Sequence, residues 1–244
     1  MATFVLVHGA WHGSWCWARV RRALLDEGHQ VFTPTLSGVA ERSHALSPDI
    51  DLQRHVDDVA NLIRWEELDS VILCGHSYGG CVISGVADML PDRIAALVYL
   101  DAFLLEDGES LHDLLPAEQR EMQLGLANEF GEGWRVPPIP AEVFNVNAQD
   151  RDWVDRQCTP QPLATFQQPI RLNDGLSQIS RNHFIYASDW EGTPFTASYD
   201  RAKARRWTTS EIACGHDVML DRPEALTEEL IGVASVASCD RIAN

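Results

Sequence analysis

Residues 70–84 read Ser70-Val-Ile-Leu-Cys-Gly-His-Ser77-Tyr-Gly-Gly-Cys-Val-Ile-Ser84. The first half is a short, unbroken apolar run, the pattern of a strand buried on both faces. From Cys81 onward small and apolar residues continue as a helix. Between them Gly75-His76-Ser77-Tyr78-Gly79 forms a G-x-S-x-G at a strand-to-helix junction. A serine at such a sharp turn is held in strained dihedrals with its hydroxyl in open space, and glycines two before and two after let neighbouring backbone pass without a Cβ clash. Ser77 is therefore the candidate nucleophile. The N–H of Tyr78, at the start of the helix, points towards negative charge developing on a substrate oxygen.

Upstream, Thr3 to Val7 is another apolar run, ending in His8-Gly9-Ala10-Trp11-His12-Gly13-Ser14-Trp15. That loop is glycine-rich but has neither G-x-G-x-x-G spacing nor a Walker lysine, so it is no phosphate cradle. It fits better as the loop that lends a second backbone N–H, that of Ala10, to an oxyanion hole. His8 and His12 are expected to serve as loop hydrogen-bonding groups and not as a general base. A helix from near Trp15, a strand at Gln30 to Thr33, and a helix carrying Leu52, Val56, Val59 and Ile63 at helical spacing lead into the central stretch. A further buried strand, Ile94 to Leu100, follows it.

Alternating apolar strands and amphipathic helices make this an α/β protein with a mostly parallel sheet, helices on both faces and ligands at the carboxyl ends of the strands. Gly9-Ala10, Ser77 and Asp101-Ala-Phe103 all emerge there. Phe103 and Leu104 are candidates to line the pocket. Regularity fails from Glu106 to about Arg181, a stretch rich in Pro, Gln, Asn and acidic residues. It is too long for a crossover and reads as a helical cap inserted over the pocket mouth, with residues 1–105 and 181–244 as the core and 106–180 as the cap. Trp134, Phe144, Trp153 and Phe166 suit the cap to covering an apolar substrate, Trp134 being a candidate contact.

The sheet resumes at His183 to Ser188, then Asp189, a helix over about 196–206, a strand around Trp207 to Ile212, the loop Cys214-Gly-His216, and a closing helix from Glu224 to about Val236 with a frayed end. A serine nucleophile needs a base, and the base needs an orienting carboxylate; the chain order Ser, Asp, His is supplied by Ser77, Asp189 and His216. Asp189 follows a late strand, but Asp101 also lies at a strand end where an acid can be supplied.

The 244 residues carry 19 Lys and Arg against 36 Asp and Glu, a formal charge of −17 that repels nucleic acid and anionic membranes. The expected partner is a neutral small molecule, with a homodimer left open. Residues 1–8 already read as a strand, with no basic leader or apolar span, so a cytoplasmic location is expected. Six cysteines lack any metal-ligand spacing and are expected reduced, with no metal site.

Phe4-Val-Leu-Val-His-Gly-Ala-Trp-His-Gly-Ser-Trp15, Gly75-His-Ser-Tyr-Gly-Gly80, Asp101-Ala-Phe-Leu104, Cys158-Thr-Pro-Gln-Pro-Leu163 and Gly215-His-Asp-Val-Met-Leu220 together resemble the α/β-hydrolase branch of plant methyl esterases and hydroxynitrile lyases, with their bacterial relatives. The resemblance covers nearly the whole chain, with a somewhat shorter cap. It implies a cofactor-free serine hydrolase with Ser77, Asp189 and His216 as triad and the Ala10 and Tyr78 N–H groups as oxyanion hole. The lyases of that branch use a lysine directly after the triad histidine and a threonine after the first strand. Asp217 and Gly9 stand there, which points to a carboxylesterase of small to medium neutral, apolar esters rather than a lyase or a non-catalytic binding member.

Overall fold

The computed structural model describes the backbone of residues 1–239 and the side chains of residues 1–235; the Cys239 side chain and the expected fraying of the chain end lie outside what is described. The chain begins with β1 (Thr3–Val7), whose apolar residues are buried on both faces. A single 3-10 turn, Ser14–Trp17, precedes α1 (Ala18–Asp26), so the first helix starts later than its apolar spacing suggests. β2 (Gln30–Phe32) and α2 (Leu52–Trp65) follow, the latter capped by the Asp51 carboxylate, which accepts from the Arg54 N–H at 2.9 Å.

β3 (Val71–His76) is buried at every position and runs through the serine turn into α3 (Gly79–Met89). β4 (Ile94–Leu100) comes next. Residues 101–181 add no strand to the main sheet. They hold α4 (Leu111–Leu114), α5 (Ala117–Phe130), β5 (Arg135–Val136), α6 (Arg151–Gln157), β6 (Gln161–Pro162) and α7 (Ala164–Gln167). The antiparallel ribbon β5–β6 has no counterpart in the sequence reading, because two-residue strands leave no periodicity to detect. The chain then returns through β7 (Asn182–Ala187), α8 (Thr196–Ala204), β8 (Thr208–Ile212), the short α9 (Val218–Asp221) and α10 (Pro223–Cys239).

The six main strands are all parallel, in the order β2-β1-β3-β4-β7-β8. Alternation along each strand divides the core in two. Val5 and Val7 of β1 face a layer with α2, α3 and the segment over 101–181, whereas Phe4 and Leu6 face α1 and α10. The register fixes where chemistry can happen: Val7 lies beside Gly75, and His76 beside Leu100, which lies beside Ile185. The residues just after β1, β3, β4 and β7 therefore emerge together at one edge. Among the described residues, no helix is long and apolar enough to cross a membrane.

Candidate active site

Ser77 adopts φ 56°, in the left-handed region that a side chain occupies only under constraint, at a cost of about 1–3 kcal/mol. What holds it there is close packing of backbone that only glycine permits. A Cβ on Gly75 would lie 2.5 Å from the Gly79 carbonyl oxygen, one on Gly79 2.7 Å from that of Val7, and one on Gly80 2.3 Å from that of Phe103. The turn is pinned further by Ser77 N–H donating to the Leu100 carbonyl at 3.2 Å and Phe103 N–H donating to the Ser77 carbonyl at 3.2 Å. Every residue from Val71 to Cys81 is buried except Ser77, which is half-buried. The side chain that must reach substrate is the one left accessible.

His216 stands in the loop after β8, 3% exposed. Its N–H donates to the Phe144 carbonyl at 3.0 Å, and a Cβ on the preceding Gly215 would lie 2.1 Å from the Asn145 carbonyl oxygen. The backbone of Phe144 and Asn145 thus clamps the histidine loop directly. Phe195 stacks on the imidazole at 4.8 Å and 11°, with Trp190 at 4.9 Å and Phe144 at 5.5 Å. Burial lowers His216 to about 4, with the Asp217 charge opposing the shift and His12 adding to it. The ring is neutral at pH 7, the state a general base requires.

The carboxylate that meets His216 Nδ1 is that of Asp101, not the expected Asp189. Asp101 Oδ2 accepts from His216 Nδ1 at 2.6 Å, and Asp101 Oδ1 accepts from the Ala187 N–H at 3.3 Å. Asp101 is fully buried directly after β4, at φ 41°. Burial pushes its carboxyl well above the usual range, and the Ala187 N–H opposes that. Asp189 is exposed; its backbone bonds to Cys214 and to the Asn145 side chain, and the next residue, Trp190, turns its ring to His216. Among the described residues, Asp189 has no hydrogen bond to the imidazole.

The loop after β1 carries Ala10, 6% exposed, and Trp11 at φ 64°. Trp11 is tied to the β5–β6 ribbon on three sides. Its N–H donates to Gln161 Oε1 at 3.3 Å, its indole N–H to the Val136 carbonyl at 3.1 Å, and its carbonyl accepts from the Thr159 N–H at 3.0 Å. Tyr78 is anchored from below, its hydroxyl donating to His55 Nδ1 at 2.9 Å while His55 Nε2 donates to the Ser37 carbonyl at 2.9 Å. The N–H groups of Ala10 and Tyr78 thus belong to two stretches of backbone that are held independently.

His8 and His12 are loop hydrogen-bonding groups as expected. His8 Nδ1 donates to the Gly9 carbonyl at 2.8 Å while its Nε2 accepts from Leu36, and burial lowers it to about 3. His12 Nδ1 donates to the Ala10 carbonyl at 2.8 Å, and its Nε2 meets Asp217 Oδ2 at 3.1 Å. Of the expected pocket residues, Phe103 packs at 4.7 Å against Phe195, the ring stacked on His216. Leu104 is fully buried, its N–H bound by Ser198 and its carbonyl by Arg201, so it is a packing residue. Trp134 is half-buried beneath the Arg135 guanidinium. Trp190 and Phe195 went unread because they stand in a polar loop with no periodicity. A groove of about 1450 Å³ lies elsewhere, against β8 and α10, and neither Ser77, Asp101 nor His216 lines it.

His76, His216 and Asp217 offer ligand atoms within 4.8 Å of one another. His76 Nε2 donates to the His216 carbonyl at 3.0 Å, His216 Nδ1 to Asp101, and Asp217 Oδ2 accepts from His12, while Asp217 Oδ1 and His76 Nδ1 have no hydrogen-bond partner among the described residues.

Residues 4–229 match the model of the alpha/beta hydrolase family. Over 94% of this chain and 98% of the relative, the sequence is 45% identical to a carbendazim hydrolyzing esterase of Nocardioides sp.. It is 32% identical to the putative chloroplastic methylesterase 11 of Arabidopsis thaliana, over 96% of this chain and 64% of that protein. An extracellular alpha/beta-hydrolase from a Paenibacillus species, described as sharing homology with tobacco salicylic acid binding protein 2, superposes with a TM-score of 0.85 at 24% identity, covering 96% of this chain and 99% of that one. Glycines that permit the close-packed serine turn, a histidine loop at the same sheet edge and a match along almost the whole chain agree: the chain belongs to the alpha/beta hydrolase family, in its esterase branch.

Proposed function

We propose that the protein hydrolyses small to medium neutral esters through an acyl-enzyme on Ser77, with His216 as base, Asp101 as its orienting carboxylate, and the Ala10 and Tyr78 N–H groups as oxyanion hole. The observation that carries this reading is the 2.6 Å contact from Asp101 to His216 Nδ1, at the sheet edge where strained Ser77 emerges. That contact keeps the proton on Nδ1 and the lone pair on Nε2, which takes the Ser77 proton as Oγ attacks the ester carbonyl. The tetrahedral oxyanion collapses when His216 passes that proton to the leaving alcohol. Water, deprotonated by the same Nε2, then releases the acid and restores Ser77. Support for the oxyanion hole lies in the N-terminus of α3 beside Ser77 and in the tethered β1 loop.

The aromatic rings of Trp190, Phe195, Phe144 and Trp11 favour an apolar substrate, and a charge of −17 gives an anionic one no attraction. Carbendazim, named for the 45% relative, is a first substrate to test alongside p-nitrophenyl acetate. Five unpaired cysteines among the described residues accord with a reducing, cytoplasmic setting. Lyase chemistry is disfavoured: Asp217 is fully buried against His12, and Gly9 offers no hydroxyl. The test is turnover of neutral esters together with mass spectrometry after phosphonate treatment. Label on Ser77 and an inactive Ser77→Ala are expected; label elsewhere or an active alanine variant would refute the assignment.

A further inference from the structure

We propose that Asp217 is a second carboxylate serving His216, a positioning residue held ionised in the core by a His12 imidazolium. The inference rests on His216 being the catalytic base. His12 is 3% exposed, and both its ring nitrogens meet acceptors: Nδ1 the Ala10 carbonyl at 2.8 Å, Nε2 the Asp217 Oδ2 at 3.1 Å. An imidazole can donate from both nitrogens only as the cation. Its ring also stacks on Trp15 at 4.9 Å and 21°, a favourable face for a desolvated cation. The Asp217 charge holds His12 above its ordinary value, and His12 holds Asp217 well below the usual carboxylate range.

Asp217 has no exposed surface, and its Oδ1 has no hydrogen-bond partner among the described residues. His76 Nε2 lies 3.8 Å from that oxygen. His76 spends its Nε2 proton on the His216 carbonyl, and its ring lies 4.3 Å from the His216 ring. A bare carboxylate oxygen thus lies beside His76, whose ring is in tilted contact with that of His216. A buried ion pair is typically no more stable than an apolar replacement of the same volume, so stability alone does not account for one here.

The charged and titratable groups facing His216 are Asp101 from the end of β4, His76 from the end of β3, His12 from the β1 loop and Asp217 from its own loop; Phe144, Trp190 and Phe195 close the remaining sides without charge. Asp101 accepts from both His216 Nδ1 and the Ala187 N–H, which holds it as the carboxylate against the burial that pushes its carboxyl up; with Asp217 also ionised, His12 cationic and His76 neutral, the cluster carries one net negative charge at rest. When His216 takes the serine proton, that charge is neutralised. The proton transfer is therefore stabilised by Asp217 and moderated by His12, and without His12 two carboxylates would be buried beside one imidazole.

The pair predicts opposite effects from its two halves. In Asp217→Asn the acid limb of kcat/KM should move about one unit to lower pH, and the plateau should fall roughly tenfold, because His216 becomes a weaker base. In His12→Gln, which keeps a donor to Asp217 but removes the cation, the limb should move to higher pH by a similar amount. His12→Gln/Asp217→Asn, which buries no unpaired charge, should lie between the single variants and below the unmodified protein. Histidine side-chain NMR reads the His216 titration directly in the same four proteins, whether or not esters turn over. Absence of ester turnover by the unmodified protein would defeat the esterase reading alone. A His216 titration unchanged in the double variant, or shifted the same way by both single changes, would overturn the role given to Asp217.

Discussion

Replacing Asp101 with asparagine separates the acid seen in the structure from the one expected at 189. Asp101 accepts from two donors at once, His216 Nδ1 at 2.6 Å and the Ala187 N–H at 3.3 Å, in a site with no exposed surface. An asparagine has one carbonyl oxygen. If its NH₂ faces His216, the imidazole must turn its Nδ1 lone pair inward and carry the proton on Nε2, where the base is needed. If the NH₂ faces Ala187 instead, two donors meet with no water between them. The first outcome removes the base, and the same replacement in a serine protease lowers kcat by about 10⁴. Four decades correspond to about 5 kcal/mol of lost transition-state stabilisation. Asp189, exposed and hydrogen-bonded only through its backbone, should change kcat by less than about twofold as Asn, a rate change of under about 0.5 kcal/mol, since its side chain has no hydrogen bond to the imidazole. The assay is kcat for p-nitrophenyl acetate in Asp101→Asn and Asp189→Asn, with thermal melting to show that both fold. An Asp189→Asn enzyme as impaired as Asp101→Asn, or an Asp101→Asn enzyme retaining a tenth of its activity, would refute the argument.

Gln161→Leu removes the acceptor of the Trp11 N–H and should lower kcat about tenfold with little change in KM, because the loop presenting Ala10 loosens; an unchanged kcat in a folded protein would show that the ribbon does not tune that loop. Stability should fall steeply on acidification. His8, held at about 3, and His55, at about 4, stay neutral when folded but protonate below about 6.5 when unfolded, so each removes about 1.4 kcal/mol per pH unit as pH falls from 6.5 towards those values. His12 acts with the opposite sign, its contribution complete below pH 6.5 and lost as pH rises through its raised value. Denaturant midpoints between pH 4 and 8 test this, and a flat profile below 6.5 would contradict it. Gly9→Thr/Asp217→Lys should gain no mandelonitrile cleavage, because a Cβ at position 9 lies 2.9 Å from His76 Nδ1 and from Ser77 Cβ, and a lysine at 217 would be buried against His12; a gain of lyase activity would show that both positions open to the pocket.

Sequence alone determined the elements whose causes are local. The serine turn is written in Gly75, Gly79 and Gly80, which permit contacts no side chain would allow, and the parallel sheet in apolar runs whose residues alternate between two cores. His216 was legible because it follows the last strand. Tertiary structure decided what depends on where two strand ends point. Asp101 and Asp189 both follow strands at one edge, but the β4–β7 register sets Asp101 beside Ala187, buried and within reach of the imidazole, while the turn after β7 presents Trp190 inward and leaves Asp189 in solvent. The same holds for Asp217 and His12, separated by 205 positions and joined by one hydrogen bond. Local backbone preference records a turn in its own residues, whereas the direction of a side chain at a strand end, and the partner it meets, are fixed only when the strands are packed.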